Sequence, residues 1–163
     1  MTDIFEMEIP ESEFITIRDC DFIIDNGVLV KYIGMVGSVE VPEGVITFGE
    51  EAFENSTAKE VICPSTLRKI ERNCFTNSSL RKINLNFGFE VIGEFAFFNC
   101  HSLCDIEFPT TLKVIGMRAF ANTRISRVKL PMDILYVASD AFSGTPFTDF
   151  IRERLKKVYF DID

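Results

Sequence analysis

The chain has no tryptophan, one histidine, and only 17 lysines and arginines against 25 acids in 163 residues. Each shortage excludes something. A formal charge of −8 lacks the basic footprint that nucleic-acid phosphates demand, so neither DNA nor RNA is an expected partner. Five cysteines cannot pair completely and none forms a C-x-x-C motif, so they read as reduced thiols. No apolar run reaches the ~18 to 20 residues of a membrane span, and no membrane insertion is expected. The start, Met1-Thr2-Asp3-Ile4-Phe5-Glu6, lacks the basic and apolar blocks of a secretory signal. As written the chain reads as cytoplasmic; a cell-surface or secreted location follows if a leader has been trimmed. Phosphate-cradling glycine loops are missing too, and no cofactor is implied.

What remains is ordinary for one folded domain: 47% hydrophobic residues, 26% charged, and 17 phenylalanines. The acids crowd at the front. Residues 1–21 hold seven (Asp3, Glu6, Glu8, Glu11, Glu13, Asp19, Asp21) against Arg18 alone, while the rest of the chain is near balance. A solvated, solubilising leader explains this sufficiently, and no partner is assigned to it.

The phenylalanines are periodic. Ala-Phe, once Cys-Phe, recurs with Phe53, Phe75, Phe97, Phe120 and Phe142 at spacings of 22, 22, 23 and 22. Five further apolar columns keep the same step. Phe48, Ile70, Ile92, Ile115 and Val137 lie five residues before each Phe; Val39, Val61, Ile83, Ile106 and Val128 lie further back. The one extra residue falls in Cys100-His101-Ser102, where a surface loop absorbs it.

A unit this short cannot bury its own apolar side, so copies must stack into a solenoid. Within a unit, Ile83-Asn84-Leu85 and Ile106-Glu107-Phe108 alternate as a half-buried strand does. Pro42, Pro64, Pro109 and Pro131 end those strands, Asn86 taking the slot in the third copy. A second short extended piece carries the columns before Ala-Phe, and nothing in the unit is long enough for a regular α-helix.

Leu103-x-x-Ile106-x-Phe108-Pro109-x-x-Leu112-x-x-Ile115-Gly116-x-x-Ala119-Phe120 resembles the BspA-like leucine-rich repeat of bacterial and protist proteins, as does Phe97-x-Asn99-Cys100-x-Ser102-Leu103. The likeness spans about residues 36–145 in five copies. It implies a right-handed leucine-rich-repeat solenoid, β-rich with short parallel strands and little helix, and a protein-binding role, often as a cell-surface adhesin. Most copies here have 22 residues where the family usually has about 23.

The expected layout has three parts. Residues 1–35 are the acidic leader and an N-capping β-hairpin, Phe22-Ile23-Ile24 and Val28–Tyr32 around Asp25-Asn26-Gly27. Residues 36–145 are five repeats. Residues 146–163 are a C-terminal capping helix and tail, with Thr145 as N-cap, Pro146 at the first helical position, and Phe147, Phe150, Ile151, Leu155 and Val158 at helical spacing.

Catalysis finds little footing. Cys100 and His101 are adjacent and so seldom face each other, and Cys100-His101-x-x-Cys104 offers three soft ligands where structural zinc wants four. Cys63 and Cys74 read as small buried hydrophobes. The reading is a non-catalytic protein–protein interaction module, with a structural or spacer element of a surface adhesin as the alternative and an enzyme as a remote third.

Four site expectations follow. The five Phe should form a buried stack. The column Asn55, Asn77, Asn99, Asn122, Gly144 suggests either a left-handed backbone or an asparagine ladder. Glu60, Lys82, Asp105 and Arg127 should stack as an exposed row of alternating sign. Finally, Phe87, Phe95 and Phe98 stand in the third copy where other copies carry mostly polar residues. Beside His101 they form the candidate partner-contact patch, open to a protein partner or to weak self-association; the competing reading folds them over the core edge or against the leader.

Overall fold

The computed structural model describes residues 21–147. The acidic leader up to residue 20 and most of the expected capping helix lie outside the described residues. The hairpin forms as the Asn-Gly signal requires: β1 (Phe22–Asp25) pairs antiparallel with β2 (Val28–Tyr32) across Asn26 and Gly27, both at positive φ, 47° and 78°.

Each following copy contributes to two parallel sheets. The short sheet consists of β3 (Ser38–Glu40), β5 (Glu60–Ile62) and β7 (Lys82–Asn84). The long sheet takes two residues per copy: β4 (Thr47–Phe48), β6 (Lys69–Ile70), β8 (Val91–Ile92), β9 (Val114–Ile115) and β10 (Tyr136–Val137). The hairpin continues this sheet, in the order β1-β2-β4-β6-β8-β9-β10. Among the described residues there is no helix. This is the β-solenoid that the column spacing demands, one layer per copy around a continuous core.

A phenylalanine spine runs through that core. Phe53, Phe75, Phe97 and Phe120 are at most 1% exposed and Phe142 is 8%. Successive rings lie 4.6, 5.1, 5.0 and 5.2 Å apart at interplanar angles of 9° or less. That spacing matches the rise between paired strands, so stacking and sheet pairing impose the same repeat distance. Tyr32 of the hairpin extends the stack at one end, 5.1 Å from Phe53, and Phe147 closes on Phe142 at 5.5 Å at the other.

Two residues after each spine Phe, the left-handed backbone and the ladder turn out to coexist. Asn55, Asn77, Asn99 and Asn122 have φ of 57° to 59° and Gly144 has 69°. Asn99 donates its side-chain amide to Asn77 Oδ1 at 3.0 Å, and Asn122 donates to Asn99 Oδ1 at 2.9 Å. The two are compatible because the left-handed turn aims every amide along the solenoid axis. The row stops at Gly144, where a Cβ would press directly on Asn122 Oδ1. Tight stacking also explains Gly116, whose Cβ would stand 2.7 Å from the Glu94 amide nitrogen one copy earlier.

The structure corrects the expected surface in three places. Val36, first of its column, is 52% exposed because no earlier copy covers it. The hairpin covers the end of the long sheet only, leaving β3 as an uncovered edge of the short sheet. The alternating row survives only as far as Lys82, whose Nζ lies 3.3 Å from Glu60. Asp105 and Arg127 lie in segments that leave the short sheet, so no backbone pairing holds them in register.

Candidate functional site

Phe95 and Phe98 flank the spine residue of the third copy, so the turn that buries one aromatic displays the other two. Ala96 and Phe97 point inward with no exposure, while Phe95 and Phe98 are half-buried on the outer wall. Their rings meet edge to face at 5.6 Å and 83°, the geometry favoured by the aromatic quadrupole. Arg72, one copy earlier, places its guanidinium carbon 6.0 Å from the Phe95 ring centroid. The sequence reading missed Arg72, although the 22-residue step sets Asn73 in the same column as Phe95 and so puts Arg72 beside it.

The backbone under this pair is left-handed at Phe95, φ 55°, which is rare for a bulky side chain. Glu51, Asn73 and Arg118 adopt the same turn in their copies, with φ of 58°, 54° and 49°. The strain therefore belongs to the repeat, and what distinguishes the third copy is the aromatic placed on it. Hydrogen bonds hold the turn: Phe95 N–H donates to Met117 at 2.8 Å, Phe98 N–H to the Phe95 carbonyl at 3.0 Å, and Thr76 Oγ1 to the same carbonyl at 2.9 Å.

Phe87 stands elsewhere. It occupies the turn between β7 and β8, is 78% exposed, and shares no ring contact with Phe95 or Phe98 among the described residues. Strand β8 separates the two positions. Asn86 pins the turn by donating to the Ser65 carbonyl at 2.7 Å, and Gly88, at φ 97°, donates its N–H to Thr111 Oγ1 at 3.0 Å. The third copy thus presents one aromatic pair on its wall and one lone ring at its corner.

His101 is exposed, its backbone N–H donating to the Asn99 carbonyl at 2.9 Å. Cys100 turns the other way. Its thiol is fully buried, donates to the Phe75 carbonyl at 3.0 Å and touches Ser78 Oγ at 3.3 Å. Burial pushes that thiol's pKa up to about 11, so Cys100 is a poor nucleophile at neutral pH. Burial likewise raises the pKa of Cys63 and Cys74, in keeping with small core hydrophobes. The described residues contain no cluster of three or more His, Cys, Asp or Glu able to hold a metal ion. No helix among them is long and apolar enough to cross a membrane.

A model of the BspA-type leucine-rich repeat region matches residues 31–148 in six copies, one more than the five found in register from the sequence. The chain belongs to the BspA-type leucine-rich repeat family. Among solved structures, a leucine-rich repeat protein of T. pallidum is 28% identical with a TM-score of 0.69, over 74% of this chain and 61% of that one. A leucine-rich repeat protein of Bacteroides ovatus is 26% identical with a TM-score of 0.62, over 75% of this chain and 38% of that one. A third, from Eubacterium ventriosum, is 18% identical with a TM-score of 0.50, over 80% of this chain and 51% of that one, a likeness of fold alone. The chain therefore spans less than two thirds of the length of each. No curated protein matches. As a BspA-type array the molecule is a protein-interaction or structural repeat module.

Proposed function

We propose that this BspA-type array is a non-catalytic protein-binding module whose contact surface centres on the wall of the third copy. The observation that carries this reading is the half-buried Phe95–Phe98 pair under Arg72, a preformed aromatic and cationic anchor of the kind that dominates binding energy. Phe87 provides a second, separate anchor, and His101 edges the first. A pocket with converging polar groups is not needed for such a role, because a stacked solenoid recognises partners with a surface. The partner is a protein, and an aromatic pair on an open wall also supports weak self-association.

A spacer element in a surface adhesin is the second reading, favoured by the uninterrupted spine and ladder that make the array a stiff rod. Affinity capture separates the two. The wild-type chain should recover one stoichiometric partner that Phe95→Ser and Phe98→Ser lose, with melting temperatures shifted by only a few degrees. Undiminished capture by both variants would refute the wall as the contact site; a stoichiometric partner captured by none, including the wild type, would favour the spacer.

A further inference from the structure

The short sheet ends at β7 although the chain goes on to supply two more strand-like segments. Residues 105–107 and 127–129 keep the inward column, with Ile106 6% exposed and Val128 half-buried. Yet among the described residues neither segment exchanges backbone hydrogen bonds with its neighbour, and the outer edge of β7 is equally unpaired. Between β7 and residues 104–107 lies a groove of about 590 Å³. Ile83, Leu85 and Ile106 supply its apolar side chains. Lys82 stands on one wall and Asp105 and Glu107 on the other. Of these walls Lys82 is neutralised by Glu60, whereas Asp105 and Glu107 have no ion-pair partner.

We propose that this groove takes an extended, basic segment of a partner protein as an added β-strand, paired by backbone hydrogen bonds to β7, to residues 105–107, or to both. The proposal rests on the interaction-module reading above and specifies its mode. Unpaired strand edges are templates for another chain, and an edge flanked by an apolar floor selects a strand with apolar residues at alternate positions. The unpaired Asp105 and Glu107, on a chain of net charge −8, select lysine or arginine at the positions between. This differs from recognition by the exposed side chains of a closed sheet, because here the partner's backbone supplies the specificity for an extended conformation. The break follows the insertion Cys100-His101-Ser102, the one place where the copy length changes.

The test uses the described chain in full length and a capped peptide copying Leu80–Asn86, which is basic, alternates Ile83 and Leu85 with polar residues, and already pairs as a parallel strand in this fold. Amide hydrogen exchange should slow by on the order of tenfold at residues 83–85 or 105–107 when the peptide is added, with β5 unchanged. The same peptide N-methylated at alternate amides should give no slowing. Absence of saturable slowing up to ~1 mM peptide would overturn the proposal. So would equal protection by the N-methylated peptide, or amides of residues 105–107 that already exchange as slowly as those of β5 in the free chain. Protection that rises with protein concentration in the absence of peptide would make a second copy the occupant and overturn the partner-strand assignment. A failed peptide alongside loss of capture by Phe95→Ser would sink the strand mode and leave the module reading standing.

Discussion

The two sheets of this solenoid are built from the same copies, yet one runs through seven strands and the other stops after three. The difference lies in what each strand is tied to. Long-sheet strands sit two or three residues from the Ala-Phe turn, whose amides bond copy to copy at 2.7 to 2.8 Å from Phe53, Phe75, Phe97 and Phe120. Their preceding turns are clamped as well, by Thr66 Oγ1 on Val45 and Thr111 Oγ1 on Phe89, each at 2.8 Å. Short-sheet strands lie beyond the variable segment after the asparagine. In the fourth copy that segment gains a residue, and the strand beyond it loses register. Once residues 105–107 leave the sheet, the fifth copy has no edge to continue. Proximity to the spine decides which sheet survives a change in copy length.

Breaking the spine should therefore cost most. Phe97→Ala removes the middle ring, with parallel neighbours at 5.1 and 5.0 Å, and should destabilise by about 3 to 5 kcal/mol in denaturant melts. A loss under about 1 kcal/mol would show that the stack does not hold the copies together.

The next comparison uses one residue type in one column. Ile83 belongs to a paired strand and is 3% exposed; Ile106 belongs to an unpaired segment and is 6% exposed. Ile83→Ala should cost about 2 to 4 kcal/mol, because a strand fixed by its ladder cannot collapse into the cavity. Ile106→Ala should cost at least about 1 kcal/mol less, since its segment is free to move inward. Equal losses would mean that backbone pairing does not set the rigidity of this face.

Asparagine 99 separates conformation from ladder. Asn99→Ala forces a Cβ into φ 57° without the local hydrogen bonding that asparagine offers, and deletes two amide bonds, for about 2 kcal/mol. Asn99→Gly keeps the turn and loses only the bonds, which are exposed, and should cost about 1 kcal/mol or less. If glycine proved as costly as alanine, the ladder rather than the left-handed turn would be the reason for asparagine.

Much of this was legible because a repeat writes each structural requirement five times. The spine, the Asn-Gly hairpin and the Asn/Gly column each rest on residue types whose demands are local: ring size, positive φ, a missing N–H. What escaped were properties that no column records. The short-sheet break depends on how one inserted residue propagates along the backbone. Left-handed φ at Glu51, Asn73, Phe95 and Arg118 was hidden because residues of such different kinds share the position. Phe87 and Phe95 looked like one patch in sequence, but a solenoid corner and strand β8 lie between them. Phe95 and Phe98 were found as outliers in their columns, while their partner Arg72 required reading across copies.

The smallest expected effect is also the sharpest test of the sheet comparison. Glu60 and Lys82 face each other across paired strands at 3.3 Å, with side chains 38% and 61% exposed. A double-mutant cycle on this pair should give a coupling of about 0.2 to 1 kcal/mol, reduced by added salt, because solvent screens both charges. Asp105 and Arg127 occupy the same column one and two copies later and form no ion pair. Their cycle should give a coupling indistinguishable from zero. Sequence alone ranks the two pairs as equals, since both alternate in sign at the same step. A coupling for Asp105 and Arg127 matching that of Glu60 and Lys82 would mean that residues 105–107 and 127–129 pair in solution, and the short sheet would then be as continuous as the long one.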